Sequence, residues 1–462
     1  MKVHLSGVCG TAMASLAGLL RERGHDVTGS DQDVYPPMST QLQAMGIPLR
    51  SPYAAENVPA DADVVVIGNA LSRGNPEIET VLDRGQRMTS LPALLAEDFL
   101  RDRTSVVVAG THGKTTTSAW LAFLLDRAGL DPSFVVGGVP VDFGRSYRLG
   151  AGRAFVVEGD EYDSAFFDKR PKFVHYLPEI AVIGNVEFDH ADIYADLEAV
   201  KTAFFRLMTV IPRRGLLVAG IESAALRELL PRAFCRVETF ALEQDADWRA
   251  TGLRPGHDGW RFRIVRRGTD LGEFRIALPG EHNVRNALAA IAAAAGLGVE
   301  PARLGDALAS FRGVRRRLEL RGEARGVRVY DDFAHHPTAV RETLRALRAL
   351  EAGRLVAVFE PRSYTSRTRV FQEDFARAFS EADEVLVAAA FLPGKVPEAQ
   401  RISERELVAA IEGRGRRARF VPTVEAIVGL LTEELRAGDR VAVLSNGGFG
   451  GIHERLLAAL RE

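Results

Sequence analysis

The sequence predicts a three-domain α/β protein built on parallel sheets, and three observations carry that expectation. The chain has 462 residues, more than one hydrophobic core organises. Strand-like and helix-like runs alternate along it, the βαβ rhythm of a parallel sheet. That rhythm restarts twice, near residues 103 and 315. Composition agrees: 46% of residues are apolar and 26% charged, enough greasy surface for packed cores. Fifty-nine basic and 61 acidic side chains leave a net charge of -2, which provides no general attraction to nucleic acid or anionic lipid.

The first domain is expected over 1–102, where VHLSGV, DVTGSD and DVVVIGNA read as strands and helices start near Thr11, Ser39 and Asn75. The opening MKVHLSGVCGTAMASLAGLL imitates a secretory leader. His4, Gly7 and Gly10 interrupt its apolar run, however, and it reads instead as strand, turn and helix. No segment approaches the roughly 18 consecutive apolar residues of a membrane span. The two cysteines, Cys9 and Cys235, show no metal-ligand spacing and read as thiols of a reducing compartment, the cytoplasm.

The second domain, 103–314, begins with the strand TSVVVAG, which runs into GTHGKTTT and the helical SAWLAFLLDRAG. It continues through AFVVE, IAVIGNV, a helix near Leu197–Met208 and the strand-rich WRATGL, WRFRIVRR and GEFRIAL. It closes with the alanine-rich helix HNVRNALAAIAAAAG. The third domain, 315–462, alternates GVRVYDDF, AVRETLRALRAL, RLVAVFEP, DEVLVAAAF, ELVAAIEG, RVAVLSN and a terminal helix.

Chemistry concentrates at strand ends. GTHGKTTT places Gly110, Thr111, Gly113, Lys114, Thr115 and Thr116 between a buried strand and a helix, where backbone amides and the helix start can cradle phosphate. The chain has only six lysines, so Lys114 stands out in that loop, although Val108 occupies a position where the full Walker pattern has glycine. EGDEYD supplies Glu158, Asp160, Glu161 and Asp163, with Glu158 the best-placed magnesium ligand beside a threonine hydroxyl. NVEFDH adds Asn185, Glu187, Asp189 and His190. In the N-terminal turn SGVCGTAM, Gly7 and Gly10 remain of a dinucleotide fingerprint while Cys9 and Met13 replace other glycines. Asp31 ends the second strand, where ribose is usually read. DDFAHHPTAV gathers Asp331, Asp332, His335 and His336; adjacent histidines rarely aim at one ligand, so a proton relay fits better than a zinc pair. EPRSYTSRTR sets Arg362, Arg367 and Arg369 among hydroxyls, a natural carboxylate clamp. Gly447–Gly451 form a glycine-rich turn after the last strand.

In this order GTHGKTTT, EGDEYD, NVEFDH, GEHNVRNALAA, FRGVRRRLE and DDFAHHPTAV resemble the Mur ligases, ATP-dependent amide-forming enzymes that build the peptide stem of peptidoglycan. The likeness runs through essentially the whole chain. It implies a Rossmann-like N-terminal domain for the UDP-sugar, a P-loop ATPase centre and a Rossmann-like C-terminal domain for the amine substrate. It further implies that Lys114 and the loop amides hold ATP phosphates, that Thr115 and Glu158 place one magnesium ion and that His190 places a second. Asn283 and Asn286 would lie beside adenine, with Arg317 and Asp332 completing the nucleotide site. Gly7, Gly10, Thr11 and Asp31 would serve the UDP-sugar, and Arg362, Ser363 and Arg367 the amine. Some members carry a carbamylated lysine after the histidine motif. Here Phe204 falls near that spacing and Lys201 lies closer to His190, so no such role is assigned.

Within the family, GVCGTAM and GNALSRGNPE resemble the members that take UDP-N-acetylmuramate itself. PRSYTSRT, with VYPPMST, AFFDKRPKFVHY, FDHADIY and SNGGFGGIH, is closer to the member that joins the whole tripeptide L-alanyl-γ-D-glutamyl-meso-diaminopimelate during cell-wall recycling. One rival is the alanine-adding ligase, whose loop reads close to PHRYTRT. Another is a UDP-sugar and ATP sensor without turnover, against which Lys114, Glu158 and His190 together argue.

Overall fold

The computed structural model describes residues 1–462 except 33, 35–37, 257, 351–352 and 393–395, so the Tyr-Pro-Pro of VYPPMST lies outside the described residues. Three sheets follow one another along the chain. The first contains β1 (Lys2–Ser6), β2 (Asp26–Ser30), β3 (Leu49–Arg50), β4 (Val64–Ile67) and β5 (Met88–Ser90) in the order β3-β2-β1-β4-β5, all parallel. In β4, all four residues of VVVI are buried, as a strand covered on both faces requires.

The second sheet has ten strands. They are β6 (Thr104–Ala109), β7 (Ser133–Val135), β8 (Tyr147–Arg148), β9 (Ala154–Gly159), β12 (Ile180–Ile183), β13 (Leu216–Gly220), β14 (Arg236–Ala241), β15 (Trp248–Gly256), β16 (Gly259–Arg266) and β17 (Thr269–Ile276). A small hairpin of β10 (Asp163–Ala165) and β11 (Asp168–Pro171) stands apart. The order β17-β16-β15-β14-β13-β12-β6-β9-β7-β8 combines a parallel centre with an antiparallel meander at one edge. That meander is the strand-rich stretch of the sequence, where alternating apolar residues cover one face only. Helix Lys114–Arg127 is buried all round from Thr115 to Leu125 because helix Glu281–Gly296 covers its outer side. The alanines of the second helix are buried without bulk, which lets two helices and a sheet pack closely.

The third sheet contains β18 (Glu319–Ala324), β19 (Val327–Asp332), β20 (Leu355–Phe359), β21 (Glu384–Val387), β22 (Arg417–Phe420) and β23 (Arg440–Leu444), ordered β18-β19-β23-β20-β21-β22. Only the edge strand β18 runs antiparallel. Sequence reading missed β22, whose RARF alternation lacks apolar weight, and the helix Val424–Glu434 after it.

One core runs from the first sheet into the second. Helix Thr11–Glu22 presents Gly18 to Tyr147, where a Cβ would lie 2.2 Å from the ring. Ser15 and Ser146 are hydrogen bonded at 2.7 Å, and Arg145 pairs with Glu22 at 2.7 Å. These contacts hold the first domain's glycine turn against the mouth of the second. Among the described residues no helix is long and apolar enough to cross a membrane.

Candidate functional site

In open parallel sheets ligands gather beyond the carboxyl ends of the strands, where the order reverses. The second sheet places β12, β6 and β9 side by side. NVEFDH, GTHGKTTT and EGDEYD follow those three strands, so motifs distant in sequence emerge together. The third sheet repeats the arrangement. Its neighbours β19, β23 and β20 lead into DDFAHHPTAV, SNGGFGGIH and EPRSYTSRT.

Gly113 caps helix Lys114–Arg127 at φ +81°, a conformation that favours glycine, and Gly110 lies at φ +136° against the backbone of Asn185. Asn185 locks the turn. Its Oδ1 accepts the His112 N–H at 2.8 Å and its Nδ2 donates to the His112 carbonyl at 3.2 Å. Thr111 Oγ1 accepts the Glu187 N–H at 2.9 Å, tying the loop to β12's extension a second time.

Lys114 Nζ donates to the Gly110 carbonyl at 2.8 Å and to Glu161 Oε2 at 2.9 Å. Burial pulls the ammonium down, but the carboxylates of Glu161, Asp160 and Glu158 outweigh it and hold Lys114 above its ordinary value. Glu161 is 2% exposed and also faces His190 Nε2 at 3.5 Å. Burial opposes its charge, yet Lys114 and His190 hold it below the usual carboxylate range. His190, itself at φ +52°, is raised: burial is overcome by Glu161 and Asp189.

Glu158 differs from its neighbour. Its Oε1 accepts the Thr115 hydroxyl at 2.9 Å and its Oε2 the Gly137 N–H at 2.7 Å. Burial, then the nearby Asp160, raises its pKa. A carboxylate bonded to a hydroxyl and an amide, and crowded by a second carboxylate, suits a hard divalent cation. Thr115 and Glu158 therefore fit one magnesium ion. His190 Nε2, 3.5 Å from Glu161, could hold a second ion only after losing its proton.

Two cavities meet at this loop. The first, about 360 Å³, is lined by Asn283, Asn286, Asp332, Lys114, Thr115 and Arg317 among others; the second, about 520 Å³, shares the last three and reaches Gly10, Thr11, Asn69 and His335. Asn283 Nδ2 donates to the Pro279 carbonyl at 2.7 Å, and its Oδ1 accepts from Asn286 Nδ2 at 3.3 Å. Arg317 Nη2 reaches Thr115 Oγ1 at 3.1 Å. Asp332 accepts the N–H groups of Leu318 and Ala334 at 2.6 and 2.8 Å, and burial pushes its carboxyl up to about 6.

Further contacts bind the second and third domains. Thr365 Oγ1 donates to Asp189 at 2.6 Å, and Thr338 Oγ1 to Glu187 at 2.7 Å. His336 Nε2 donates to the Phe188 carbonyl at 3.1 Å, and its Nδ1 accepts the Thr338 N–H at 3.3 Å. Donor atoms of His112, Glu187 and His336 lie within 4.8 Å of one another, so these side chains bridge the domains at one point. His335 faces the larger cavity instead, with Nδ1 directed at the Phe333 carbonyl at 3.0 Å. That bond requires a proton on Nδ1 and leaves Nε2 as the basic atom. Burial lowers the His335 pKa, which keeps the ring neutral.

The remaining sequence candidates divide. Gly10 and Thr11 face the larger cavity, whereas Gly7 sits behind them at φ +87°. Asp31 is engaged by three turns at the sheet's end: it accepts the N–H groups of Cys9 and Gln32 at 2.8 Å and the Tyr53 hydroxyl at 3.1 Å. Arg362 lies over the Phe391 ring, 3.6 Å from its centroid, and crosses Gly447, where any Cβ would strike the guanidinium. Ser363 caps the short helix Tyr364–Arg367 by accepting the Ser366 N–H at 3.0 Å. Arg367 is 8% exposed and donates to the carbonyls of Ser363, Phe391 and Leu392, so its guanidinium holds the loop rather than facing open space. Lys201 pairs with Glu198 and Glu228 on its helix surface, and Phe204 is buried against Phe173.

Glu161 was only one carboxylate of four in the sequence; the structure makes it the partner of both Lys114 and His190. Glu161→Gln is expected to lower folding stability by about 3 kcal/mol, the scale of breaking a buried charge pair. Its native pKa is depressed, so this contribution is complete above the unfolded value of about 4.3 and fades as pH falls through the folded value. Chemical denaturation from pH 8 to pH 3 should therefore show wild type and variant converging in acid. A constant gap would exclude this role.

Comparison with known proteins follows the same three-part division. Residues 2–102 match "Mur ligase family, catalytic domain", residues 108–294 "Mur ligase middle domain" and residues 316–447 "Mur ligase, glutamate ligase domain". The chain is 44% identical over 463 residues to the UDP-N-acetylmuramate–L-alanyl-γ-D-glutamyl-meso-2,6-diaminoheptandioate ligase of Escherichia coli K12, covering 100% of this chain and 98% of that protein. It is 35% identical to the UDP-N-acetylmuramate–L-alanine ligase of Pelotomaculum thermopropionicum, again over 100% and 98%. The crystal structure of a murein peptide ligase from Psychrobacter arcticus 273-4 superposes with a TM-score of 0.76 at 38% identity, covering 100% of this chain and 99% of that one. With its three sheets, its phosphate-loop lysine and likeness along its full length, this chain belongs to the Mur ligase family.

Proposed function

We propose that the protein is an ATP-dependent ligase that joins UDP-N-acetylmuramate to L-alanyl-γ-D-glutamyl-meso-diaminopimelate, in the cytoplasm and in peptidoglycan recycling. The observation that carries this reading is the pair of cavities sharing Lys114, Thr115 and Arg317, one reaching Asn283 and the other the N-terminal glycine turn. A triphosphate and a nucleotide-sugar carboxylate entering from opposite sides would meet at that lysine. In this reading 1–102 bind the UDP-sugar, 103–314 bind ATP and 315–462 bind the amine.

An amine does not displace hydroxide from a carboxylate, so the carboxylate must first be activated. Its oxygen attacks the γ-phosphorus, the bond to the β-phosphate oxygen breaks and ADP leaves with the electron pair. The amine then attacks the acyl carbon and phosphate departs as the amide forms. Lys114, Arg317 and the loop amides supply positive field for the first step. Magnesium held by Thr115 and Glu158, with a second ion at His190, would neutralise phosphate charge. Neutral His335, with Nε2 basic, suits the amine's proton in the second step. Closure is expected because Arg317 and His336 reach across the domain boundary and Asp332 lines the same cavity as Asn283.

The tripeptide is favoured over L-alanine by two observations. The relative named for the tripeptide is 44% identical, against 35% for the alanine ligase. In addition, Arg362 is followed by the short Ser363 and is 24% exposed on its Phe391 platform, 3.7 Å from Glu360, a long contact it can exchange for one of the further carboxylates that the tripeptide has and alanine lacks. The test is phosphate release with UDP-N-acetylmuramate, ATP and either amine. Wild type should prefer the tripeptide, and Arg362→Ala should cost it roughly 2 to 4 kcal/mol of transition-state binding with little effect on alanine. Equal or better use of L-alanine by wild type would transfer the protein to the alanine-adding branch.

A further inference from the structure

Lys172 is one of six lysines, is 6% exposed and lines the larger cavity, yet the chemistry above leaves it without a role. It opens the short turn Lys172–Tyr176 directly after β11. Its ammonium lies 4.1 Å from the centroid of the Tyr162 ring and donates to Asp160 Oδ2 at 3.2 Å. Thr11 and Asn69 line the cavity from the first domain, and Lys114 and His190 line it from the phosphate loop and its neighbour.

The charge pattern of this wall is a problem for an anionic substrate. Glu158 and Asp160 line it with Glu161 buried beside them, and a carboxylate approaching the triphosphate would meet that negative charge. Lys114 and His190 are already directed at Glu161. The ammonium of Lys172 has three donors, of which Asp160 takes one, and the aromatic face beneath it stabilises a cation without consuming a donor.

Building on the ligase reading, we propose that Lys172 is a specificity-determining residue for the nucleotide sugar: its ammonium receives the lactyl carboxylate of UDP-N-acetylmuramate and holds it toward the phosphate loop. A carboxylate so held is screened from Asp160 and aimed at the γ-phosphate side of Lys114. UDP-N-acetylglucosamine, which has the same nucleotide and sugar without the lactyl group, gains nothing from Lys172.

The test uses calorimetric titration of the full chain with both nucleotide sugars, with thermal melting as a check on folding. Lys172→Met combined with Asp160→Asn removes the pair together and strands no buried charge. Measured against Asp160→Asn alone, from which the repelling carboxylate is already gone, the preference for UDP-N-acetylmuramate over UDP-N-acetylglucosamine should fall at least about tenfold in the double variant, the scale of one charge-assisted hydrogen bond, while UDP-N-acetylglucosamine affinity stays within about twofold. A purely structural role for Lys172 would move both ligands alike, and an unchanged preference or a parallel loss overturns the proposal. Should the double variant fail to fold, Asp160→Asn alone decides: freeing the ammonium should raise the preference, and no rise overturns it. A wild type that binds neither nucleotide sugar would instead remove the ligase reading, and this proposal with it.

Discussion

Replacing Lys114 by alanine should abolish ligation, with turnover falling at least about a hundredfold, the scale of removing one preorganised charge contact from phosphoryl transfer. Lys114 is the first residue of its helix, adds a full charge to the helix start and lines both cavities. Its ammonium is held by the Gly110 carbonyl and Glu161, so it is positioned before any substrate arrives. The substitution also leaves Glu161 with His190 as its remaining charged partner, so some loss of stability is expected alongside the loss of activity. Binding of UDP-N-acetylmuramate distinguishes the two effects: it should survive in the folded variant while phosphate release disappears. Ligation within threefold of wild type would remove the phosphate-loop assignment.

The second large effect concerns the metal. Glu158→Ala and His190→Ala should each raise the magnesium requirement or eliminate turnover, because each deletes a protein ligand from an ion otherwise held by phosphate and water. Glu158→Ala has the clearer expectation. Its carboxylate is disfavoured by burial and Asp160 when no cation is bound, so the variant should melt no lower than wild type in the absence of magnesium. Magnesium should stabilise wild type in the presence of nucleotide and leave Glu158→Ala largely unmoved. A variant that keeps both its turnover at low magnesium and its metal-dependent melting shift would show that Glu158 is not a ligand. Loss of UDP-sugar binding with retention of ATP turnover would reverse the assigned domain roles.

Much of this molecule was legible because its signals are local. The passage from β6 through Gly110 and Gly113 into helix Lys114–Arg127 is written in nineteen contiguous positions of SVVVAGTHGKTTTSAWLAF, with apolar strand, glycine turn and helix formers in sequence. Most parallel strands at the sheet centres are apolar runs that read correctly without partners, although β13 and β14 were passed over. Edge elements read poorly: β22 is half arginine, and its strand character depends on pairing with β21, whose Glu384 receives Arg417 and Arg419.

Functional residues show the same division. Sequence could place Lys114, Glu158 and His190 at strand ends, since a motif and its strand are adjacent in the chain. It favoured Glu158 as the magnesium ligand from its place at the strand end, but it could not give Asp160 and Glu161 their partners, because these depend on groups elsewhere in the chain: Thr115 and Gly137 for Glu158, Lys172 for Asp160, Lys114 and His190 for Glu161. Arg362 and Arg367 looked equivalent as clamps. Packing separated them, burying Arg367 among carbonyls of a loop some twenty-five residues later and laying Arg362 over Phe391 and the bare backbone of Gly447.

By itself, then, the sequence determined the α/β class, the three successive sheets and the strand–glycine turn–helix passage around Lys114, because backbone propensity, burial pattern and glycine geometry act over a few neighbouring residues. The tertiary structure alone decided which charges face one another and which are screened. Those interactions depend on distance and local dielectric between groups far apart in the chain, such as Lys114 with Glu161, 47 positions apart, and Thr115 with Arg317, 202 apart, and only the closed fold sets either quantity.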